Sequence, residues 1–169
     1  MAFMTSNSSV ISFANADDIR EKDQRLFEQN EGLTDDVIED RLIRSTERIL
    51  SLFQATDWWR SYFVSQSGGV AINTVADIPA PVANKVLARK NDFTDLTCYM
   101  ALYEYLLPKV ADFSTEDNAE RAKIGFYQAK FDRLFGELVT AGDWYDFNGT
   151  GAITSSEMQP GYYNLKRVR

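Results

Sequence analysis

The oxygen-bearing residues between Asp146 and Glu157 are the part of this sequence best suited to chemistry. An EF-hand calcium loop takes its oxygen ligands from loop positions one, three, five, seven, nine and twelve. Those positions hold, in order, Asp146, Asn148, Thr150, Ala152 (through its carbonyl), Thr154 and Glu157. Gly151 stands where such a loop turns sharply, a conformation that glycine adopts at little cost. The spacing therefore predicts a calcium-binding loop.

Two features of this loop predict weak binding and an atypical exit. Only Asp146 and Glu157 carry charge, and ligand charge is what raises calcium affinity. Pro160 follows soon after Glu157, where an ordinary EF-hand enters its second helix. The segment is also typical of a β-hairpin, because strand-like runs at 144–147 and 152–154 flank an Asn-Gly turn. A calcium loop is itself a tight turn, so both interpretations stay open.

The remaining residue types argue against catalysis. The sequence has no histidine, which removes the commonest general base and the commonest zinc ligand. Adjacent carboxylates such as Asp35 and Asp36, or Glu116 and Asp117, stand at predicted helix starts, where capping explains them. The single cysteine, Cys98, lies in an apolar helical pattern and is expected to be a buried, inert thiol. We therefore expect a protein that is not an enzyme.

Charge and hydropathy limit the kinds of partner. The net charge of −7 opposes a general attraction to nucleic acid, since that attraction comes chiefly from neutralised phosphates. No apolar run approaches the roughly 18 residues of a membrane span, so no membrane partner is expected. Residues 1–12 have the features of neither a secretory signal nor a basic transit peptide, and they are predicted to form a flexible arm.

A set of helices must position the loop. Capping residues, apolar periodicity and prolines predict helical segments over 16–23, 35–54, 57–63, 82–90, 91–108 and 115–141. Small and β-branched residues predict a loop or short hairpin over 65–78. The predicted fold class is all-α, a small helical bundle with a short β-hairpin or loop insertion and an extended C-terminal arm. The bundle covers residues 13–142, and residues 143–169 form a turn or hairpin followed by the arm.

Four aromatic side chains lie close together after the capping residue Thr56. They are Trp58, Trp59, Tyr62 and Phe63. Rings of this size contribute strongly to stability when they are removed from water. We expect them to form a core or helix-packing cluster rather than an exposed patch for a partner.

The C-terminal residues differ in charge from the rest of the protein. After Pro160 and Gly161 they combine apolar and basic side chains without an acidic one: Tyr162, Tyr163, Leu165, Lys166, Arg167, Val168 and Arg169. On a protein of net charge −7, this asymmetry predicts that the segment docks on a neighbouring protein surface.

The order of these segments resembles that of the head-to-tail adaptor (connector) proteins of tailed bacteriophages. The resemblance rests on an opening segment at 13–19, a capped helix ending at 44–50, the aromatic turn at Trp58-Trp59 and the loop that follows. It continues through a proline-led aromatic helix after Pro79, another long helix, the segment from Asp143 to Glu157, and the basic tail.

Membership of that family would imply a structural virion protein without catalytic residues. The family forms rings of about twelve copies beneath the portal protein, extends the channel through which DNA passes, and presents a surface to the next neck or tail protein. Assembly would take place in the host cytoplasm. An acidic lumen that repels phosphate would let the duplex slide. A weakly bound calcium ion is the only cofactor that the sequence predicts, and the alternative function is a calcium-responsive binding module built around the loop.

Overall fold

A computed structural model describes residues 3–28, 30, 32–66, 74, 77–111 and 119–158. Its elements are β1 (Met4–Ser6), β2 (Ser9–Ser12), α1 (Ala16–Lys22), α2 (Gln24–Glu28), α3 (Asp35–Gln54), α4 (Asp57–Gln66), a 3₁₀ turn (Ala83–Lys85), α5 (Lys90–Met100), a π-helix (Ala101–Leu106), α6 (Leu107–Val110) and α7 (Ala119–Ala141). Helices dominate and the only sheet in these ranges is the two-stranded β1-β2, which confirms the predicted fold class. Within the same ranges, no helix combines the length and the apolar character needed to cross a membrane.

Residues 4–12 form a β-hairpin, which corrects the expectation of a flexible arm over 1–12. β1 pairs with β2 in antiparallel orientation. Asn7 and Ser8 form the turn with φ values of 48° and 65°, and a two-residue hairpin turn favours positive φ at both central positions. The side chain of Asn84 accepts a hydrogen bond from the backbone of β2. A residue distant in sequence thus holds the hairpin, and the local sequence does not reveal it.

Two clusters of buried side chains hold the helices together. The first joins α3, α4, α5 and α7 and contains Trp58 and Trp59, which are 4% and 1% exposed. The prediction that the aromatic turn packs in the core is confirmed for both indoles. The second cluster joins α1, α2 and α3 to the helix that begins with α5, and it contains the fully buried Cys98. Burial raises the pKa of this thiol far above its ordinary value, in line with the expected inert cysteine.

The helix predicted over 82–90 is not formed. The segment contains only the 3₁₀ turn Ala83–Lys85, and it then runs extended to Arg89, whose φ of 53° is left-handed. The Arg89 guanidinium makes two hydrogen bonds to the carboxylate of Asp143, at 2.6 and 3.0 Å. Backbone groups of the segment are used for pairing with the residues that follow α7, and this long-range pairing overrides the local helical signal.

The π-helix Ala101–Leu106 continues α5 and leads directly into α6. Pro108 lies at the start of α6, where a proline lacks the backbone N–H and its ring crowds the carbonyl four residues earlier. A wider turn before the proline relieves that clash, and π-turns of this kind occur as insertions within α-helices. The long apolar helix predicted from residue 91 therefore passes Pro108 and ends at Val110.

Several predictions fall outside the described residues. The predicted capping box at Ser114 and Asp117 lies there, as does most of the predicted loop 65–78. Helix α4 extends to Gln66, further than predicted. The C-terminal end of α7 lies within the described residues and follows the prediction. The helix ends at Ala141, and Gly142 has a φ of 57°.

Candidate cation-binding loop

The loop that spans residues 146–157, called the 146–157 loop below, begins after a short stretch fixed against the core. Trp144 is fully buried, and its indole N–H donates to the carbonyl of Leu138 at 2.8 Å. The neighbouring Tyr145 forms an isolated antiparallel bridge with Val86. These contacts hold the entrance of the loop to the end of α7 and to the extended segment before α5.

The prediction of a hairpin between residues 144–147 and 152–154 is wrong, because the first of these runs pairs with a different segment. Residues 144–147 pair with residues 85–87 rather than with 152–154. The N–H of Leu87 donates to the carbonyl of Trp144 at 3.0 Å, and the N–H of Asp146 donates to the carbonyl of Lys85 at 2.9 Å. Because the strand-like residues are paired elsewhere, the loop folds around its own acidic side chains.

Asp146 organises the first half of the loop. The residue is 3% exposed, and its carboxylate accepts three backbone N–H groups: Gly149 at 2.7 Å and Thr150 at 3.2 Å on Oδ1, and Gly151 at 2.8 Å on Oδ2. Hydrogen bonds to an ionised acceptor are stronger than those between neutral groups. The Asp146 carboxylate therefore wraps the backbone of residues 149–151 around itself.

Glu157 organises the second half. The residue is 2% exposed. Its Oε1 accepts the N–H of Asn148 at 2.9 Å, and its Oε2 accepts the N–H and the hydroxyl of Thr154 at 2.8 and 2.6 Å. The N–H of Glu157 donates in return to the carbonyl of Thr154 at 3.0 Å. Burial acts to raise the pKa of Glu157, but these hydrogen bonds outweigh it and hold the pKa below its ordinary value. The carboxylate is therefore ionised and joins the two ends of the loop.

Along the sequence, the residues with neutral ligand oxygens come between the two carboxylates. The Thr150 hydroxyl donates to the carbonyl of Ala152 at 3.1 Å, so these two predicted ligands are adjacent. Gly149 and Gly151 have φ values of 73° and 81°, which glycine adopts readily. The expectation of a sharp turn at Gly151 is confirmed.

The donor set fits a hard cation better than a soft one. Calcium and magnesium prefer carboxylate, carbonyl, hydroxyl and water oxygens, and the six predicted positions supply only oxygens. Among the residues that the structure describes, no group of three or more histidine, cysteine, aspartate or glutamate side chains could hold a metal ion, and this loop has two carboxylates. Oε1 of Glu157 accepts one hydrogen bond and Oε2 accepts two. A carboxylate has about four lone-pair sites, so bidentate binding of a cation requires Oε2 to release at least one of its contacts with Thr154.

Lys85 and Phe147 belong to the site, although the sequence pattern did not single them out. The Lys85 ammonium donates to the carbonyl of Phe147 at 3.2 Å and places a positive charge beside the loop. The Phe147 ring stacks on Tyr62 with centroids 3.7 Å apart and lies 5.1 Å from the Trp59 ring. Burial, and then the charge of Glu157, raise the pKa of Tyr62. The loop is thus fastened to α4 by its second residue.

The predicted docking residues of the C-terminal arm, from Tyr162 to Arg169, lie outside the described part of the protein. Met158 is the last described residue, and 46% of its surface is exposed. The turn capped by Thr154 and Glu157 comes directly before it, so the loop sets the position from which the arm departs.

Comparison with known proteins identifies no relative from which a function could be transferred. No family model, no curated protein and no solved structure matches the sequence.

Proposed function

We propose that this protein is a structural head-to-tail adaptor of a tailed bacteriophage, a subunit of a ring between the portal and the next neck or tail protein. The order of its elements supports the proposal. A capped short helix (α1), a long helix (α3), an aromatic helix (α4), a proline-led segment, a second aromatic helix (α5) and another long helix (α7) come before the 146–157 loop. This is the order on which the resemblance to that family depends.

The surface of α7 also supports a role in assembly. Phe126 exposes 55% of its surface there. Gly125 and Gly136 are open, since a Cβ built on either would meet nothing within 4 Å. A large exposed apolar residue can be buried by a partner, and positions without side chains let another backbone approach closely. Both features suit a subunit that contacts copies of itself.

The adaptor proposal is tested by co-expression with the portal protein encoded in the same genome. We expect the protein to sediment together with portal rings and to add a ring of density beneath them in negative-stain images. A protein that stays monomeric and never sediments with the portal would contradict the proposal. The isolated protein is a suitable reference, because assembly can require the portal as a template.

The arm is tested separately by ending the protein after Met158. We expect the truncated protein to keep its helical circular dichroism and its thermal midpoint but to lose portal binding in a pull-down, because the basic and apolar docking groups are gone. Charge reversal of Lys166, Arg167 and Arg169 should have the same effect. Reversal of Lys109, which is exposed on α6, is the matched control. Unchanged binding by the truncated protein would contradict the role of the arm.

A second candidate function is binding of calcium by the 146–157 loop, and one observation favours it. Glu157, at loop position twelve, accepts the N–H of Asn148 and so joins the end of the loop to its beginning. In sequence, the neutral ligand residues stand between the two buried carboxylates in the order that an EF-type site needs. Calcium binding would stiffen the junction between α7 and the arm. The same contacts also form a turn that is complete without a metal ion.

Calorimetry with calcium tests this second function. Two charged ligands predict a dissociation constant of about 10⁻⁴ to 10⁻³ M. Glu157→Gln should abolish the heat of binding, since it removes the carboxylate at position twelve. Lys85→Met should strengthen binding, because it removes a positive charge beside the loop. If the wild type gives no heat and calcium does not protect the arm from proteolysis, the loop is an ordinary turn.

A further inference from the structure

Asn148 and Gly149 form the sequence step at which an asparagine side chain is most easily converted to a carboxylate. The reaction begins when the backbone nitrogen of the following residue loses its proton and attacks Cγ, the amide carbon of the asparagine. Glycine favours this attack because it has no side chain to obstruct the approach. Both residues are exposed, so water and hydroxide reach them.

The structure activates the electrophile of this reaction, the side-chain amide of Asn148. The amide oxygen of Asn148, Oδ1, accepts the N–H of Thr150 at 3.0 Å. A hydrogen bond to that oxygen draws electron density away from Cγ and stabilises the negative charge that develops on the oxygen during attack. The electrophile is therefore held in an activated state.

The structure restrains the nucleophile of this reaction, the backbone nitrogen of Gly149. The N–H of Gly149, whose nitrogen must act as the nucleophile, donates to Oδ1 of Asp146 at 2.7 Å. Attack requires this hydrogen bond to break and the nitrogen to become negatively charged beside a buried carboxylate. A neighbouring negative charge disfavours a second one. The carboxylate of Asp146 opposes the reaction on both grounds.

We infer that Asn148 is a latent deamidation site and that the carboxylate of Asp146 controls its rate. When the hydrogen bond opens, hydroxide takes the Gly149 proton and the Gly149 nitrogen bonds to Cγ of Asn148. The bond between Cγ and Nδ2 breaks as Nδ2 takes a proton from water, which regenerates the hydroxide, and ammonia leaves, giving a cyclic imide. Water then opens either of the two imide carbon–nitrogen bonds to give aspartate or isoaspartate. The net change is one amide and one water converted to one carboxylic acid and one ammonia.

Deamidation would alter the loop in one of two ways. Aspartate at residue 148 adds a third carboxylate to a loop that has two. Isoaspartate instead routes the backbone through Cγ and lengthens it by one carbon, which removes the geometry that lets Asp146 accept three successive N–H groups. The inference does not depend on calcium, and it is tested in the presence of a chelator.

The test compares deamidation at Asn148 in the wild type, Asp146→Asn and Phe147→Ala, with wild type unfolded in urea as a reference. Samples are incubated at mildly alkaline pH, and peptide mapping by mass spectrometry measures the product at residue 148. We expect folded wild type to react many-fold more slowly than the unfolded protein. Asp146→Asn keeps a neutral acceptor but loses the charge, so it should react several-fold faster than wild type.

Phe147→Ala is the control for general loosening of the loop. It removes the stack on Tyr62 and leaves the carboxylate of Asp146 in place, so its rate should stay close to that of the wild type. Equal rates for folded and unfolded wild type would overturn the inference. A wild-type rate in Asp146→Asn would also overturn it. If Phe147→Ala reacts as fast as Asp146→Asn, protection comes from loop order rather than from the carboxylate, and the inference fails.

Discussion

Replacing Trp144 with alanine is expected to lower the free energy of unfolding by about 3–5 kcal/mol, the range for removing a large buried aromatic side chain. Trp144 is fully buried, and its ring centroid lies 4.7 Å from that of Phe53 and 4.8 Å from those of Trp58 and Phe93. The substitution also removes the donor to the carbonyl of Leu138. Urea denaturation followed by circular dichroism measures the change.

Phe126→Ala is the matched control for Trp144→Ala. Phe126 is also aromatic, but 55% of its surface is exposed, and exposed substitutions usually change stability by less than about 0.5 kcal/mol. A loss for Trp144→Ala no larger than that for Phe126→Ala would show that the indole does not hold α3, α4 and α5 together. The same comparison in the presence of portal would show whether Phe126 is buried there.

Asp146→Ala is expected to lower the free energy of unfolding by about 2–3 kcal/mol, because it removes the carboxylate that accepts three backbone N–H groups. The donors are Gly149, Thr150 and Gly151, which are exposed enough for water to replace part of the loss. Urea denaturation gives the global change. Amide hydrogen exchange at the three donors should accelerate more than exchange in the helices.

Asp132→Ala serves as the control for the loss of a carboxylate. Asp132 is exposed on α7, so its removal should change stability by less than about 0.5 kcal/mol. Retained protection of Gly149 and Gly151 in Asp146→Ala would contradict the role assigned to the buried carboxylate. Equal losses of stability in the two variants would contradict it as well.

Helix ends that depend on neighbouring residues could be predicted from the sequence. Asn15 and Asp18 exchange the two hydrogen bonds of a capping box at the start of α1, and Trp59 donates its backbone N–H to the Thr56 hydroxyl at the start of α4. Both ends of α3 also follow the prediction. At α1 and α4 the capping partners lie within three residues of each other, so the relevant chemistry is visible in the sequence itself. At α3 the N-cap residue Thr34 makes no side-chain capping hydrogen bond.

Features that depend on distant partners could not be predicted. The 82–90 segment does not form the predicted helix because residues 85–88 pair with the residues beyond α7, and the hairpin at 4–12 is held by Asn84. In the loop, the predicted ligand positions follow from spacing alone, whereas Lys85 reaches Phe147 across 62 residues of sequence. Local patterns carry no information about contacts over such separations.

The π-helix changes which side of the following helix, α6, faces the second cluster. The pairs Ala101 with Leu106 and Leu102 with Leu107 are five residues apart, yet all four side chains are fully buried in the second cluster. In an α-helix five residues turn through about 500°, so the members of each pair would be about 140° apart around the axis. The wider π-helical turn accommodates one extra residue and brings the two members of each pair to the same side of the helix. The width of a single turn, and not only the choice of apolar residues, therefore decides whether α6 faces this cluster or the solvent.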